Sequence, residues 1–291
     1  FLFDRPYHSD FVFGKNVIPI VLQPPARHPL LWYMWFEISV KRTLEKLKPD
    51  AFLSPDGYCV LQTSVPTVLV IHDIAYIHYA EQIPFLARKY YEYFVPKFLQ
   101  TATRIVTVSE YTKQDIIEQH QVAANKIAVA FNGCKTVFIP LNTKEKKQIR
   151  QRYADGAEYF FYIGAIHPRK NVARLIAAFD IFKQRTQSPL KLLLGGRLAW
   201  QTGKIKTAYE NATSKNDIIQ LGYIAEEELP KLLGAATALT YVSLFEGFGV
   251  PILEAMHCEV PVLTSDVSSM PEVAGEAAVF VQPESVDSIA I

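Results

Sequence analysis

Short apolar, β-rich runs alternate with helical stretches along most of the chain, and this alternation limits the possible folds more than any other feature. Two of the runs, Thr67-Val68-Leu69-Val70-Ile71 and Tyr159-Phe160-Phe161-Tyr162-Ile163, carry no charge and no polar–apolar alternation. Strands of that kind need cover on both faces, as in parallel sheets sandwiched between helices. Further strands are expected at residues 11–13, 17–21, 51–54, 104–108, 127–130, 190–194, 218–221, 238–242 and 260–264. Helices are expected at 30–48, 85–101, 111–120, 173–184, 199–214, 226–235 and 251–257. Ser109 is placed to cap the helix that follows it, and Pro96 to kink the aromatic-rich helix around it. The predicted class is α/β, with two doubly wound domains whose ligands bind at the carboxyl ends of strands.

The domain count follows from length. At ~150 residues per domain, 291 residues make about two. The charged, low-apolar stretch 142–152 separates two strand–helix series, so the domains are read as 1–140 and 141–291. Lys+Arg totals 30 and Asp+Glu 29, a net charge of +1, and this argues against nucleic acid as a partner. Cys59, Cys134 and Cys258 are widely spaced and form no zinc pattern, as expected of free thiols in a reducing compartment. The apolar run 30–36 is too short to span a bilayer and gives way to charge at Glu37. Trp32, Trp35, Phe36, Ser39, Val40, Thr43, Leu44 and Leu47 fall at helical spacing. They read as the core-facing stripe of an amphipathic helix, with an interfacial membrane helix as the lesser alternative. No signal peptide is visible, and the chemistry expected is cytoplasmic.

Four constellations lie at predicted strand ends. The first is Glu246-Gly247-Phe248-Gly249-Val250-Pro251-Ile252-Leu253-Glu254. Its glycines let a ligand approach the backbone, Pro251 suits a first helical turn, and the helix start favours phosphate. The flanking carboxylates Glu246 and Glu254 can accept hydrogen bonds from hydroxyls, so the pattern suits a nucleotide sugar. The second, Gly164-Ala165-Ile166-His167-Pro168-Arg169-Lys170-Asn171, sets two cations at the start of a helix. That location disfavours cations unless an anion joins them. The third is His72-Asp73, and the fourth is Gly222-Tyr223 with Gly195-Gly196 at a neighbouring strand end. Taken singly, a strand-end histidine and such glycine turns are more often structural. The chain has no Asp-x-Asp pair for a metal-bound diphosphate, no Gly-x-Gly-x-x-Gly, no Walker A string and no Gly-x-Ser-x-Gly elbow.

Together these residues resemble glycosyltransferase family 4, the "glycosyl transferases group 1" type of retaining enzyme with the GT-B fold. The E-x7-E string from Glu246 to Glu254 and Pro168-Arg169-Lys170-Asn171 carry the resemblance. Residues 106–113, Asn132-Gly133, residues 261–265 and Met270-Pro271-Glu272-Val273-Ala274-Gly275 support it in the family's order. The resemblance implies two Rossmann-like domains facing a central cleft. It implies that Lys170 binds the donor diphosphate, and that Glu246 lies near the transferred sugar. Glu254 would hold the ribose, and His72 would face the donor sugar. Gly164 and the backbone of Phe248, Gly249 and Val250 would contact the donor, with Tyr223 near the base. Ala165 stands where members often carry an arginine, and Arg169 is the available substitute.

The implied reaction is metal-independent transfer of a hexose, with mannose favoured, from a nucleotide-diphosphate sugar to a glycan or lipid-linked acceptor. No cofactor is expected, and domain closure would bring His72 towards Lys170 and Glu246. The resemblance leaves peripheral association with the inner face of the membrane open. A nucleotide-sugar 2-epimerase and an inactive nucleotide-sugar-binding protein stay as alternatives. Members normally open with a further strand and glycine-rich loop and close with further helices, so both domains are expected to be incomplete.

Overall fold

The computed structural model describes residues 1–197 and 203–290. The chain divides into two compact units, Phe1–Ala130 and Phe131–Ile291. Residues 131–142 belong with the second unit for a packing reason. Phe138 is buried in its core with Leu232 and Leu233, and Leu141 packs against the same cluster.

In the first unit, β1 (Leu2–Phe3) and β2 (Ile20–Val21) form a small parallel pair. The main sheet of the described residues holds β3 (Phe52–Ser54), β4 (Thr67–Ile71), β5 (Arg104–Thr107) and β6 (Ile127–Val129), in that order and all parallel. In β4, Thr67, Leu69 and Ile71 are buried while Val68 and Val70 are partly covered on the other face. This is the two-sided cover expected of a continuous apolar strand. The helix Phe85–Thr101 packs Tyr90, Val95, Phe98 and Leu99 inward, with Pro96 inside it. Ser109 caps the helix Glu110–His120, its hydroxyl accepting the Thr112 N–H at 3.0 Å.

In this unit the strand expected at 17–21 is reduced to Ile20–Val21, and two further expectations are corrected. Residues 11–13 are not a strand: a 3-10 turn, Ser9–Phe11, occupies the place, and Phe13 stays 76% exposed. Apolar character alone cannot make a strand where no neighbouring strand offers pairing. The helix expected at 30–48 is three joined pieces, Pro29–Met34, a π segment Trp35–Val40, and Lys41–Leu47. A π turn adds residues per turn and rotates the downstream face. Trp35, Phe36, Val40 and Leu44 are therefore buried, whereas Leu47 is 55% exposed. Among the described residues no helix is long and apolar enough to cross a membrane.

The second unit has the order β12-β11-β10-β7-β8-β9. Its strands are β7 (Tyr159–Ile163), β8 (Lys191–Gly195), β9 (Ile218–Gly222), β10 (Ala238–Tyr241), β11 (Val262–Ser265) and β12 (Ala278–Val281). All described pairings are parallel. Counted from β7, this is the doubly wound order 6-5-4-1-2-3, and it reverses direction between β7 and β10. Side chains sort by strand period onto two cores. Tyr159, Phe161, Leu193 and Leu239 face one, and Tyr162, Leu192 and Leu194 the other. Each fully buried leucine or isoleucine here contributes about 2 kcal/mol of hydrophobic stabilisation.

The stretch 142–152, read from its charge as a separator, is the start of a helix, Thr143–Ala154. Asn142 and Glu145 form a capping box, and Arg150 Nε donates to the Ala235 carbonyl at 3.1 Å. Two short helices, Met270–Ala274 and Val286–Ile289, and the strand β12 were also not anticipated. The helix expected at 199–214 is seen over Gly203–Asn211, and its proposed first turn lies outside the described residues.

Candidate functional site

The switch point between β7 and β10 is where a doubly wound sheet opens a crevice at its carboxyl edge. The chain leaving β7 makes a 3-10 turn, Pro168–Lys170. His167 caps it, Nδ1 accepting the Arg169 N–H at 3.3 Å. Asn171 then turns through a left-handed conformation (φ 61°) into the helix Val172–Thr186. The chain leaving β10 runs through Ser243–Phe248 to Gly249 at φ 102°, a conformation that favours glycine, and enters the helix Val250–His257.

These two exits are fastened to each other. Leu244 N–H donates to the Arg169 carbonyl at 2.8 Å, and Arg169 Nη1 returns a bond to the Phe245 carbonyl at 2.7 Å. Asn171 Nδ2 donates to the carbonyls of Val242 at 3.0 Å and Pro283 at 2.6 Å from a buried position. Beneath Glu246, Ser268 Oγ accepts its N–H at 3.1 Å, and Ser269 Oγ donates to the carbonyls of Glu246 and Phe248, both at 2.9 Å. Sequence spacing gave no sign of these two serines or of the role of Asn171.

The charged centre is compact. Lys170 Nζ lies 2.6 Å from Glu246 Oε1, and Arg169 Nη1 lies 3.7 Å from Glu246 Oε2. Glu246 is 6% exposed. Two cations therefore share one buried carboxylate. Lys170 Nζ also donates to Tyr241 Oη at 3.2 Å. Burial pushes the Tyr241 phenol well above its ordinary pKa, with the Glu246 charge acting in the same direction. Tyr162, below the same crevice, is also shifted upward by burial.

Glu254 lies one turn into its helix, half-buried, and burial raises its carboxyl while the charge of Lys135 opposes the shift. Among the described residues, no group hydrogen-bonds this carboxylate. Glu246 and Glu254 thus bracket one helix start, but only Glu246 is ion-paired.

The glycines at neighbouring strand ends form a backbone floor. A Cβ placed on Gly196 would lie 1.9 Å from the Gly164 carbonyl oxygen. Gly164 N–H donates to the Gly195 carbonyl at 3.1 Å, and Gly196 N–H to the Gly222 carbonyl at 2.7 Å. Tyr223, beyond this floor, is 73% exposed, with the Arg197 guanidinium 5.9 Å from its ring centroid. Phe248 is buried and its ring lies 6.2 Å from that of Phe131. The second unit therefore brings Gly164, Arg169, Lys170, Glu246, Phe248, Gly249 and Val250 to one edge of its sheet.

His72 belongs to the first unit. It follows β4, and its Nε2 donates to the Pro55 carbonyl at 2.9 Å while the residue stays exposed. Asp73 Oδ1 accepts the Ala75 N–H at 2.9 Å, at the start of the helix Ala75–His78. The three cysteines are free. Burial pushes the thiols of Cys59 and Cys258 up to about 12 and about 11, so neither is a ready nucleophile.

Comparison with known proteins gives a consistent picture. The sequence profile of "Glycosyl transferases group 1" matches residues 143–290, and that of "Glycosyltransferase Family 4" matches residues 3–138. O-antigen chain mannosyltransferase B of Escherichia coli is 35% identical over 269 residues, covering 90% of this chain and 70% of the relative. O-antigen chain mannosyltransferase RfbU of Salmonella typhimurium is 26% identical over 278 residues, covering 94% and 72%. Among solved structures, HepE of Anabaena in complex with UDP and glucose superposes with TM-score 0.74 at 17% identity, covering 97% of this chain and 77% of that one. The lipopolysaccharide-biosynthesis glycosyltransferase WaaG gives TM-score 0.72 at 17% identity, covering 95% and 77%.

Proposed function

The chain is a glycosyltransferase of the glycosyl transferases group 1 family, with two Rossmann-like domains of the GT-B type, and from that premise we propose that it transfers mannose from a nucleoside-diphospho-mannose to a growing polysaccharide acceptor, with retention at the anomeric carbon and without a metal. The observation that carries the reading is the buried Lys170–Glu246 pair at the β7/β10 switch point, with Arg169 beside it. The mannose and the polysaccharide acceptor rest on the names of the two O-antigen mannosyltransferase relatives.

The roles follow from charge. Lys170 and Arg169, with the positive end of the helix Val250–His257, take up the negative charge of the departing diphosphate. The bond between the anomeric carbon and the diphosphate oxygen breaks, and its electron pair stays on that oxygen. The acceptor hydroxyl attacks from the same face and passes its proton to the leaving phosphate. Glu246 accepts hydrogen bonds from hydroxyls of the transferred sugar and steadies its oxocarbenium character. Glu254, with no internal hydrogen-bond partner among the described residues, accepts from the ribose hydroxyls. The backbone of Gly164, Phe248, Gly249 and Val250 lines the donor, Tyr223 flanks the base, and His72 contributes from the first unit as a hydrogen-bonding group for the sugar.

A thermal-shift screen of GDP-, UDP- and ADP-sugars tests the binding step. One donor class should stabilise the protein, by about 2.7 kcal/mol at a concentration a hundred times its Kd. Lys170→Met should abolish most of that gain. Product analysis with and without acceptor tests the reaction: transfer only with acceptor supports it, whereas an epimerised donor formed without acceptor overturns it.

A further inference from the structure

Tyr241 is the last residue of β10 and is 2% exposed. A leucine or phenylalanine would fill a buried strand end without bringing a hydroxyl that needs a partner. The phenol instead sits among charges. Its oxygen accepts from Lys170 Nζ at 3.2 Å, and the Lys170 ammonium lies 5.5 Å from the ring centroid. Glu246, Tyr162 and Arg169 are its other polar neighbours. The ring also lies under the glycine turn, because a Cβ on Gly249 would meet Tyr241 Cε1 at 3.7 Å.

An ammonium has three N–H donors. In Lys170 one is given to Glu246 and one to Tyr241. Among the described residues the third has no partner. With two donors fixed by groups on different parts of the β10 exit, the direction of the third is fixed as well. A lysine held only by Glu246 could rotate about that single contact, and its charge would be spent on the carboxylate alone.

We propose that Tyr241 is a positioning residue for donor binding: its hydroxyl holds the Lys170 ammonium so that the remaining N–H points to the diphosphate. The proposal rests on the assignment of Lys170 to that diphosphate. Tyr241 touches no substrate in this scheme and acts through Lys170.

The test is a double-mutant cycle on the full chain, reading the affinity of GDP, UDP and ADP by calorimetry. Tyr241→Phe removes one oxygen and keeps the ring, and circular dichroism with thermal unfolding checks that the variant is folded. It should weaken the best-binding nucleotide about tenfold, the scale of a lost hydrogen bond to a charged group. In a Lys170→Met background the same change should cost less than about twofold, because coupled residues lose their interaction together. Donor KM should rise in Tyr241→Phe while acceptor KM stays constant. Equal affinity in wild type and Tyr241→Phe overturns the proposal, as does an undiminished loss in the Lys170→Met background. If Lys170→Met itself leaves affinity unchanged, or if wild type binds none of the three nucleotides, the diphosphate assignment fails first and this proposal with it.

Discussion

Lys170 and Glu246, 76 residues apart in sequence, meet at 2.6 Å where the sheet of the second unit reverses its strand order. The pair is asymmetric. Glu246 serves two cations, whereas each cation has other bonds, Lys170 to Tyr241 and Arg169 to the Phe245 carbonyl. Glu246→Ala leaves two partly buried cations without their shared anion. It should lower stability by about 3 kcal/mol, more than Lys170→Met does, because Arg169 still partners Glu246 in the latter. Chemical denaturation of both variants checks the order, and a larger loss in Lys170→Met would contradict it.

Glu254 gives a pH signature. Its folded pKa is raised by burial, so between the unfolded and folded values the native state holds a proton that the unfolded chain has released. Its contribution is fully present below the unfolded value of about 4.5 and is lost as pH rises through the folded value. Glu254→Gln should remove that loss: its melting temperature should gain on wild type as pH rises from about 4 towards neutrality. Parallel curves for the two proteins across that range would refute the assignment.

Gly196 faces the Gly164 carbonyl so closely that a methyl group cannot be placed there, and its φ of 141° disfavours any side chain as well. Gly196→Ala should cost about 3 kcal/mol, the upper range for an overpacked site. Gly203, where an added Cβ would meet nothing within 4 Å among the described residues, is the control: alanine there should change the urea midpoint little.

His72 separates chemistry from packing. Its ring bonds to one carbonyl and is otherwise exposed, so His72→Ala should cost no more than about 1 kcal/mol of stability. Its transfer rate should nevertheless fall about tenfold, the scale of one lost hydrogen bond in the transition state. Unchanged turnover would return His72 to a structural role.

What the sequence disclosed depended on how each element is stabilised. β4, β7 and the helix Phe85–Thr101 are held by apolar side chains whose order is written locally, and their limits match expectation residue for residue. The helix Thr143–Ala154 is held differently, by a capping box, by Arg150 on a carbonyl and by Tyr153 on Glu228. Its low apolar content hid it, although Asn142 three residues before Glu145 was a readable helix-start signal. The two halves of the charged centre were each visible as strand–loop–helix motifs. Their contact was not, because it depends on β7 and β10 being neighbours, a property of strand order rather than of spacing. Tyr241 was invisible for a third reason: a tyrosine in an apolar strand looks like core until its hydroxyl is seen to face an ammonium.

The buried amide of Asn171 has a consequence for how a ligand would be received. By bonding to Val242 and Pro283 it joins three distant stretches of chain into one rigid seat before anything binds. The loss of freedom needed to assemble that seat is incurred when the protein folds, so an arriving anion need only give up its own motion and water. Substitutions at Asn171 should therefore slow and loosen recognition without altering a single atom that the ligand touches.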